Sequence, residues 1–170
     1  SGIYLGNQGA ALPSSTITRQ QAVAMIGRAF RIAPETAAPD YTDTDQIAEY
    51  AMAYVGEFEV RGYLTDSAAG TFRPTDPITR AEFVTIINRA FGYRSAGGHP
   101  FRDVPGTAWY AEDVDIGYTE GYITGTSPTA FSPNLSITRE EAAFILAKNL
   151  MMEPAVGENT SFADGRSIST

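Results

Sequence analysis

The stretch Pro77-Ile78-Thr79-Arg80-Ala81-Glu82 occurs three times in this chain with small changes, and its recurrence decides the fold. The other copies are Thr16-Ile17-Thr18-Arg19-Gln20-Gln21 and Ser136-Ile137-Thr138-Arg139-Glu140-Glu141. Their arginines lie 61 and then 59 residues apart. Aligning residues 62–91 with residues 121–150 without a gap gives 10 identities in 30 positions, well above chance. The chain is therefore built from a repeat of about 60 residues.

Each copy of this stretch predicts the beginning of a helix. A threonine stands at the N-cap and a Gln or Glu follows three residues later, which is the capping-box pattern. The predicted structural caps are Thr18 with Gln21, Thr79 with Glu82, and Thr138 with Glu141. Apolar residues follow each arginine at helical spacing and predict one apolar stripe per helix. The stripes are Ala22, Val23, Ile26 and Phe30; Phe83, Val84, Ile87 and Phe91; and Ala142, Ala143, Leu146 and Leu150.

A second, leading helix is predicted ahead of the glycine turn in each whole repeat. It covers residues 50–61 and residues 109–120, and it opens with Tyr50 or Trp109, each 12 residues before its glycine. An aromatic-x-Asp motif stands upstream, at residues 41–43 and 101–103, and again at 162–164. Two short helices cannot bury their apolar faces alone, so we expect the repeats to close around a shared helix bundle. The fold class is therefore mainly all-α.

The repeat boundaries divide the chain into four parts. Residues 1–32 are the C-terminal half of a repeat, residues 41–93 and 101–152 are whole repeats, and residues 161–170 are an N-terminal stub of a further repeat. Linkers rich in Ala, Gly and Pro separate them. A chain that begins and ends within a repeat is most simply a fragment of a longer protein. No helix in residues 1–18 could cover the stripe of residues 19–30, so we expect that stripe to lie open and to favour association.

Composition excludes several functions. The 170 residues include no cysteine and one histidine, His99, which excludes disulfides, thiol catalysis and multi-histidine metal sites. The net charge of −8, with no basic patch, argues against nucleic-acid binding. No apolar run approaches the roughly 20 residues that span a membrane, so no membrane insertion is expected. No pair of acidic residues recurs with the pattern of a catalytic carboxylate pair. We therefore predict no catalytic residue, no metal and no cofactor.

The three arginines occupy the first helical position, where the helix dipole disfavours a cation. Three such placements in one chain indicate a use for Arg19, Arg80 and Arg139. One interpretation is that each arginine pairs with an acidic residue of a neighbouring repeat. The other is that the arginine and the exposed amides of the helix N-terminus together bind an external carboxylate or phosphate.

The turn glycines and the leading aromatics also have two interpretations. Gly2, Gly62 and Gly121 fit helix C-terminal turns that need a positive φ, or places where backbone approaches a ligand closely. Trp109 and Tyr50 are rings that could stack on a sugar, and for Trp109 the alternative is a place in the core.

Three of the motifs in this chain resemble those of a known family. Ile-Thr-Arg-Ala-Glu-Phe at residues 78–83, Phe-Arg-Asp-Val with Trp-Tyr at residues 101–110, and Gly-Tyr-Ile-Thr-Gly at residues 121–125 are similar to the S-layer homology (SLH) domain. The resemblance implies tandem repeats in a pseudo-threefold spindle around a central helix bundle. It also implies an extracellular, non-catalytic module at a bacterial cell wall or S-layer. Such modules attach to an acidic wall polysaccharide, commonly a pyruvylated secondary cell-wall polymer, through grooves between repeats.

The resemblance also assigns glycan-binding residues, one by one, to matching positions. They are Arg19, Arg80, Arg139, Gly62, Gly121, Gly2, Trp109 and Tyr50. Some positions depart from the family pattern: Asp66 replaces a turn glycine, Gln20-Gln21 replaces Ala-Glu, and Ala10-Ala11 stands where the other copies have Phe72 and Phe131. Two alternatives remain open. The chain could be an assembly module that associates with other SLH chains, or the anchor of a larger surface glycoside hydrolase.

Overall fold

The computed structural model of the chain describes residues 13–33, 38–64 and 70–151. Five α-helices lie in these ranges, with one short 3-10 turn at Thr44–Gln46 and no β-strand beyond isolated bridges. The helices are α1 (Arg19–Ala29), α2 (Glu49–Val60), α3 (Arg80–Phe91), α4 (Ala111–Thr119) and α5 (Arg139–Asn149). The mainly all-α class is confirmed. Gly2, Ala10, Ala11, Asp66 and residues 161–170, to which the sequence assigned roles, lie outside the described residues.

The three predicted capping boxes are all present. At each of α1, α3 and α5 the N-cap threonine hydroxyl accepts a hydrogen bond from the backbone N–H three residues on. The Gln21, Glu82 or Glu141 side chain accepts one from the backbone N–H of that threonine. Each cap stabilises its helix by about 1 kcal/mol. The C-terminal helices of the repeats therefore begin where the sequence predicted.

The leading helices begin slightly differently from the prediction. Helix α2 starts at Glu49, one residue early, and α4 starts at Ala111 rather than at Trp109. The segment before α4 makes turn hydrogen bonds instead: the Ala108 N–H donates to Pro105 O, and the Ala111 N–H donates to Ala108 O. Because these turns come first, Trp109 stands ahead of the helix and not in its first turn.

A closed ring of backbone hydrogen bonds joins the three copies just before their helices. The Ile17 N–H donates to Ile137 O, the Ile137 N–H to Ile78 O, and the Ile78 N–H to Ile17 O, at 3.0 to 3.2 Å. All three isoleucine side chains are completely buried. The N-termini of α1, α3 and α5 are thus related by approximate threefold symmetry around a shared core. The wider spindle outline stays a prediction.

Two leading helices pack on the C-terminal helix of the preceding repeat: α2 lies on α1, and α4 lies on α3. The expectation that the α1 stripe lies open is therefore wrong, since Ala22, Val23 and Ile26 are completely buried. The cover comes from α2, which follows α1 along the chain and which the expectation left out. The stripe predicted for α5 is wrong at one position, because Ala143 is exposed.

Candidate functional site

A small groove opens between the two whole repeats beside Arg80, and we name it the Arg80 groove. Its volume is about 50 Å3. Arg80 and Glu141 are its charged residues, and aromatic and aliphatic side chains form most of the rest. The lining residues are Arg80, Val84, Tyr122, Ile123, Thr124, Phe131, Ile137, Glu141, Phe144 and Ile145. The groove therefore places one cation and one carboxylate in a largely apolar wall.

Arg80 is only 6% exposed and is bonded through all three of its nitrogen groups. Its Nε donates to Phe131 O at 2.9 Å and its Nη2 donates to Thr124 O at 2.8 Å. Its Nη1 donates to Glu141 Oε1 at 2.7 Å. The guanidinium also lies over the Phe131 ring, 4.8 Å from the ring centre. Arg80 thus ties α3 to the loop and helix of the next repeat.

Arg19 makes the equivalents of two of these hydrogen bonds one repeat earlier and is 1% exposed. Its Nε donates to Phe72 O and its Nη1 to Glu82 Oε1, both at 2.8 Å. The interpretation that the arginines pair with an acidic residue of a neighbouring repeat is thereby confirmed for Arg19 and Arg80. The acidic residue is in each case the capping glutamate of the next copy. Arg139 is buried at the equivalent place, and the corresponding capping residue of the first copy is the neutral Gln21.

Burial affects the ionisation of these arginines. Desolvation lowers the pKa of Arg80 from its ordinary value, and the neighbouring Glu141 carboxylate acts in the opposite direction. Desolvation likewise lowers the pKa of Arg19, where the Glu82 carboxylate acts in the opposite direction. A guanidinium stays protonated in proteins, so both side chains remain cations.

The amides of the first helical turns do not face solvent, and the sequence prediction was wrong on this point. The N–H groups of Arg19, Arg80 and Arg139 donate to Asp76 O, Leu135 O and Ser15 O, each at 2.9 Å. The next amide of each helix donates to a neighbouring proline carbonyl: Pro74, Pro133 or Pro13. The amide of the third residue of each helix donates to the hydroxyl of the N-cap threonine. An anion in a groove would therefore meet the arginine side chain and not the helix amides.

The aromatic-x-Asp motif organises the loop on which each arginine rests, a role that sequence reasoning missed. The Asp43 carboxylate accepts hydrogen bonds from the Phe72 and Arg73 N–H groups, and Asp103 accepts them from Phe131 and Ser132, at 2.7 to 2.8 Å. Burial acts against ionisation of Asp103, but these backbone bonds outweigh it and lower the pKa. The aspartate thus positions the carbonyl that receives the arginine Nε.

The signal for this role was in the sequence. Each aspartate stands 28 or 29 residues before the aromatic residue that it positions, in both whole repeats. No group of residues suited to a metal ion occurs in the described ranges, where Asp43 and Asp103 are engaged with backbone amides.

The turn interpretation of Gly62 and Gly121 agrees with their backbone. They follow α2 and α4 with φ of 68° and 76°, in the left-handed region that favours glycine. A basic side chain from the second helix of the same repeat binds each turn: Arg89 donates to Gly62 O, and Lys148 donates to Gly121 O, both at 3.4 Å.

The leading aromatics lie at the surface. Trp109 is 59% exposed, so the interpretation of Trp109 as a core residue is wrong. Tyr50 is half-exposed, and the guanidinium of Arg28 lies 5.8 Å from the centre of its ring. Neither ring lines the Arg80 groove. The structure therefore brings Arg80, Tyr122 and Glu141 together but does not add the two leading aromatics to them.

A second, wider groove lies on the other side of the Thr124 segment, and sequence reasoning gave no signal for it. Its volume is about 360 Å3 and it has no charged lining residue. It is lined by Pro100, Phe101, Tyr118, Thr124, Gly125, Ser127 and Pro128. Thr124 lines both grooves, so they are neighbours on one surface.

The profile of the S-layer homology domain matches residues 40–84 and 100–143, just over half of the chain. The chain belongs to the S-layer homology family. The SLH repeats also align with the Surface-layer 125 kDa protein of Lysinibacillus sphaericus, at 34% identity over 81% of this chain and 12% of that protein. An Endoglucanase of Bacillus sp. (strain KSM-635) aligns at 30% identity over 71% of this chain and 13% of the enzyme. The Amylopullulanase of Thermoanaerobacterium thermosulfurigenes aligns at 36% identity over 58% of this chain.

The SLH region thus spans about an eighth of the first two relatives and 6% of the amylopullulanase. SLH domains anchor surface proteins to the cell wall, and both surface-layer proteins and glycoside hydrolases occur among the relatives. Family membership and these relatives support the predicted location at the bacterial cell wall or S-layer. Among the described residues, no helix is long and apolar enough to cross a bilayer.

Proposed function

We propose that this chain is a non-catalytic anchoring module that binds an acidic, pyruvylated wall polysaccharide in its inter-repeat grooves. The observation that carries the proposal is the Arg80 groove, where a buried cation meets an apolar and aromatic wall at the surface between two repeats. A pyruvate ketal presents a carboxylate on a sugar ring. The guanidinium fork suits the carboxylate, and the apolar wall suits the faces of the ring.

For a ligand carboxylate to bind Arg80, the Glu141 side chain must move away from the Arg80 guanidinium. The Glu141 side chain is 36% exposed, whereas the Glu82 side chain opposite Arg19 is 12% exposed. The Glu141 carboxylate already contacts water, so it can turn away from Arg80 at a lower cost than Glu82 can turn away from Arg19. Arg80 is therefore more accessible to a ligand carboxylate than Arg19, and we propose the Arg80 groove as the principal site. Arg19 and Arg139 serve the equivalent grooves.

The remaining predicted residues extend this site. We propose that Gly62, Gly121 and Gly2 keep the turns open for a ligand, and that Trp109 and Tyr50 offer exposed rings to sugar units farther along the polymer. Sugar faces stack on such rings because both surfaces are apolar and flat. The repeat bounds that define these grooves, residues 1–32, 41–93, 101–152 and 161–170, are part of the same proposal.

Variants of exposed and buried residues test the assignment by co-sedimentation with purified cell walls. Trp109→Ala should reduce wall binding while leaving the melting temperature nearly unchanged, because the ring is mostly in water. Leu135→Ala, another exposed apolar truncation, is the matched control and should bind normally. Arg80→Lys keeps the charge but loses the fork, and it should weaken binding more than Lys148→Ala does. Equal wall binding by Trp109→Ala, Arg80→Lys and their controls would refute the assignment of Trp109 and Arg80 to the binding site.

The relatives support a second proposal about the parent protein. An Endoglucanase and an Amylopullulanase share this region, so the chain could serve as the anchor of a larger surface glycoside hydrolase. The chain itself should then show no hydrolysis of wall or storage polysaccharides, while the parent protein does. An assembly role, with association of SLH chains, predicts instead that the molecular mass in solution rises with protein concentration.

A further inference from the structure

The wider groove beside Thr124, which we name the Tyr118 groove, has the size and lining of a small-molecule site. Its volume of about 360 Å3 lies within the usual range for such sites. The Tyr118 ring is 41% exposed, and the nearly buried Phe101 ring packs against it with the ring centres 5.4 Å apart. Thr124 and Ser127 line the same groove and are exposed. An aromatic surface beside hydroxyl groups suits the C–H face and the hydroxyl groups of a sugar ring.

The loop that forms one wall of the Tyr118 groove is held in place by its own contacts. The Ser127 N–H donates to Ala130 O at 3.2 Å, and the Ala130 N–H donates to Ser127 O at 3.4 Å. A Cβ atom at Gly125 would overlap both of these carbonyl oxygens and the Phe101 ring, so the backbone there packs directly on the ring. A groove that is already formed binds a ligand at little cost in ordering.

The first of the two whole repeats carries acidic residues at equivalent positions. Glu59 stands where the second whole repeat has Tyr118, and Asp40 stands where it has Pro100. These two acidic residues bind each other, since the Asp40 N–H donates to Glu59 Oε2 at 2.9 Å. The equivalent bond cannot form in the second whole repeat, because Pro100 has no N–H and Tyr118 has no carboxylate. The uncharged aromatic lining therefore belongs to the second whole repeat and not to the repeat pattern.

We propose that the Tyr118 groove binds an uncharged sugar unit of the wall polymer, next to the acidic unit in the Arg80 groove. This inference rests on the proposed function. Thr124 lines both grooves, and its carbonyl oxygen accepts from Arg80 Nη2 at 2.8 Å, so the two grooves are direct neighbours. None of the described residues that line the Tyr118 groove is charged. A charged unit there would lose its hydration without gaining a counter-ion.

Continuity with the Arg80 groove favours a unit of the same polymer over a separate ligand. Two linked units that occupy neighbouring grooves reinforce each other, because the second unit binds at a high effective concentration once the first is held. Even a weak contact with Tyr118 therefore strengthens attachment. The exposed hydroxyl groups of Thr124 and Ser127 also suit a sugar better than the apolar side chains of a second protein chain.

Variants of Tyr118 in the full chain test the site by co-sedimentation with untreated cell walls. Tyr118→Ala should lower the apparent affinity roughly three- to tenfold, whereas Tyr118→Phe, which keeps the ring, should bind nearly as well as the wild type. Tyr118→Glu, which introduces the residue of the other whole repeat, should bind no better than Tyr118→Ala. Val60→Glu adds the same charge at an exposed position of α2 and is the matched control. Melting temperatures verify that each variant folds.

Nuclear magnetic resonance separates this inference from the proposed function. The probes are soluble fragments of the wall polymer, either intact or with pyruvate removed. Intact fragments should shift the Arg80 Nε–H signal and the backbone amide signals of Gly125 and Ser127. Fragments without pyruvate should shift only the Gly125 and Ser127 signals, and only at high concentration, because one uncharged unit binds too weakly for co-sedimentation.

Each inference has its own contradicting result. If intact fragments shift the Arg80 signal but not those of Gly125 and Ser127, the Tyr118 groove is not a sugar site and the proposed function stands. If they leave the Arg80 signal unshifted, the proposed function fails, while shifts at Gly125 and Ser127 still support an uncharged sugar site. Equal wall binding by Tyr118→Ala and Val60→Glu would also overturn the Tyr118 site. So would Gly125 and Ser127 shifts that follow protein concentration without polymer, because a second copy would then be the occupant.

Discussion

Glu141 of α5 joins two repeats with one carboxylate: its Oε1 accepts from Arg80 of α3 at 2.7 Å, and its Oε2 accepts from the backbone N–H of Thr138 at 2.9 Å. Glu82 does the same for Arg19 and Thr79. The capping glutamate of one repeat is thus the counter-ion of the preceding repeat. This explains why a cation is tolerated at the first helical position, where its own helix dipole opposes it.

We expect Glu141→Ala to destabilise the chain by about 2 kcal/mol, because it removes a cap and leaves a buried arginine without its carboxylate. Urea unfolding followed by circular dichroism measures the change. Glu112→Ala, at an exposed position in the first turn of α4, is the control and should change stability by less than about 0.5 kcal/mol. A loss no larger than that of the control would mean that the Arg80–Glu141 pair contributes nothing to the interface.

Arg80→Ala should impair folding as well as any ligand binding, since Arg80 bonds three groups of the next repeat. We expect a loss of roughly 3 kcal/mol, which is typical when one partner of a buried pair is removed. Thermal unfolding of the variant measures it. Full stability together with lost wall binding would show instead that Arg80 acts on the ligand alone.

Acid should weaken the fold through Asp103. Its pKa is lower in the folded chain than the ordinary value, so the folded state is favoured while the carboxylate is ionised. That contribution is present above about pH 4 and is lost as the pH falls below that value. Urea unfolding at pH 7 and pH 3 measures how much the free energy of unfolding falls in acid. This decrease should be smaller in Asp103→Asn than in the wild type. Identical acid losses in both proteins would contradict the role given to Asp103.

Gly27→Ala should destabilise the α1–α2 interface, although alanine is the better helix former. The new methyl group forces the Tyr54 ring to move, at a cost of about 1 to 3 kcal/mol, against a gain in helix propensity of about 1 kcal/mol. Tyr54→Ala in the same chain should remove the clash, so the double variant should lose less than the two single losses together. Gly106→Ala, which meets open space, is the control. Additive losses would mean that the two residues do not interact.

The sequence predicted what is encoded locally. The capping boxes and the helices that they begin depend on residues three or four positions apart, as at Thr79 and Glu82, and these predictions were confirmed. The turn at Gly121 is also local. Each follows from a pattern that works within a single repeat.

The sequence pattern did not predict how the repeats contact one another. The Ile17–Ile137–Ile78 ring consists of backbone bonds, which leave no signature in side chains. The pairing of Arg19 with Glu82 joins residues 63 positions apart. The sequence offered both pairing and anion binding as uses for the arginine, and only packing decides which acidic residue it meets. The exposure of Trp109 likewise depends on where the preceding turn places it.

Salt and chelator separate an arginine site from a metal site. Wall binding should weaken as salt rises, because the proposed contact joins a guanidinium to a carboxylate. It should be unchanged in chelator. Loss of wall binding in chelator, with recovery on adding calcium, would contradict the Arg80 site. It would indicate instead a metal site at carboxylates such as Asp43 or Asp45.

The most direct measurement is co-sedimentation of the chain with purified cell walls before and after selective removal of pyruvate from the wall polymer. If the chain anchors through acidic sugars in its inter-repeat grooves, it should sediment with untreated walls and stay in solution with depyruvylated walls. Equal sedimentation with both preparations would contradict the account.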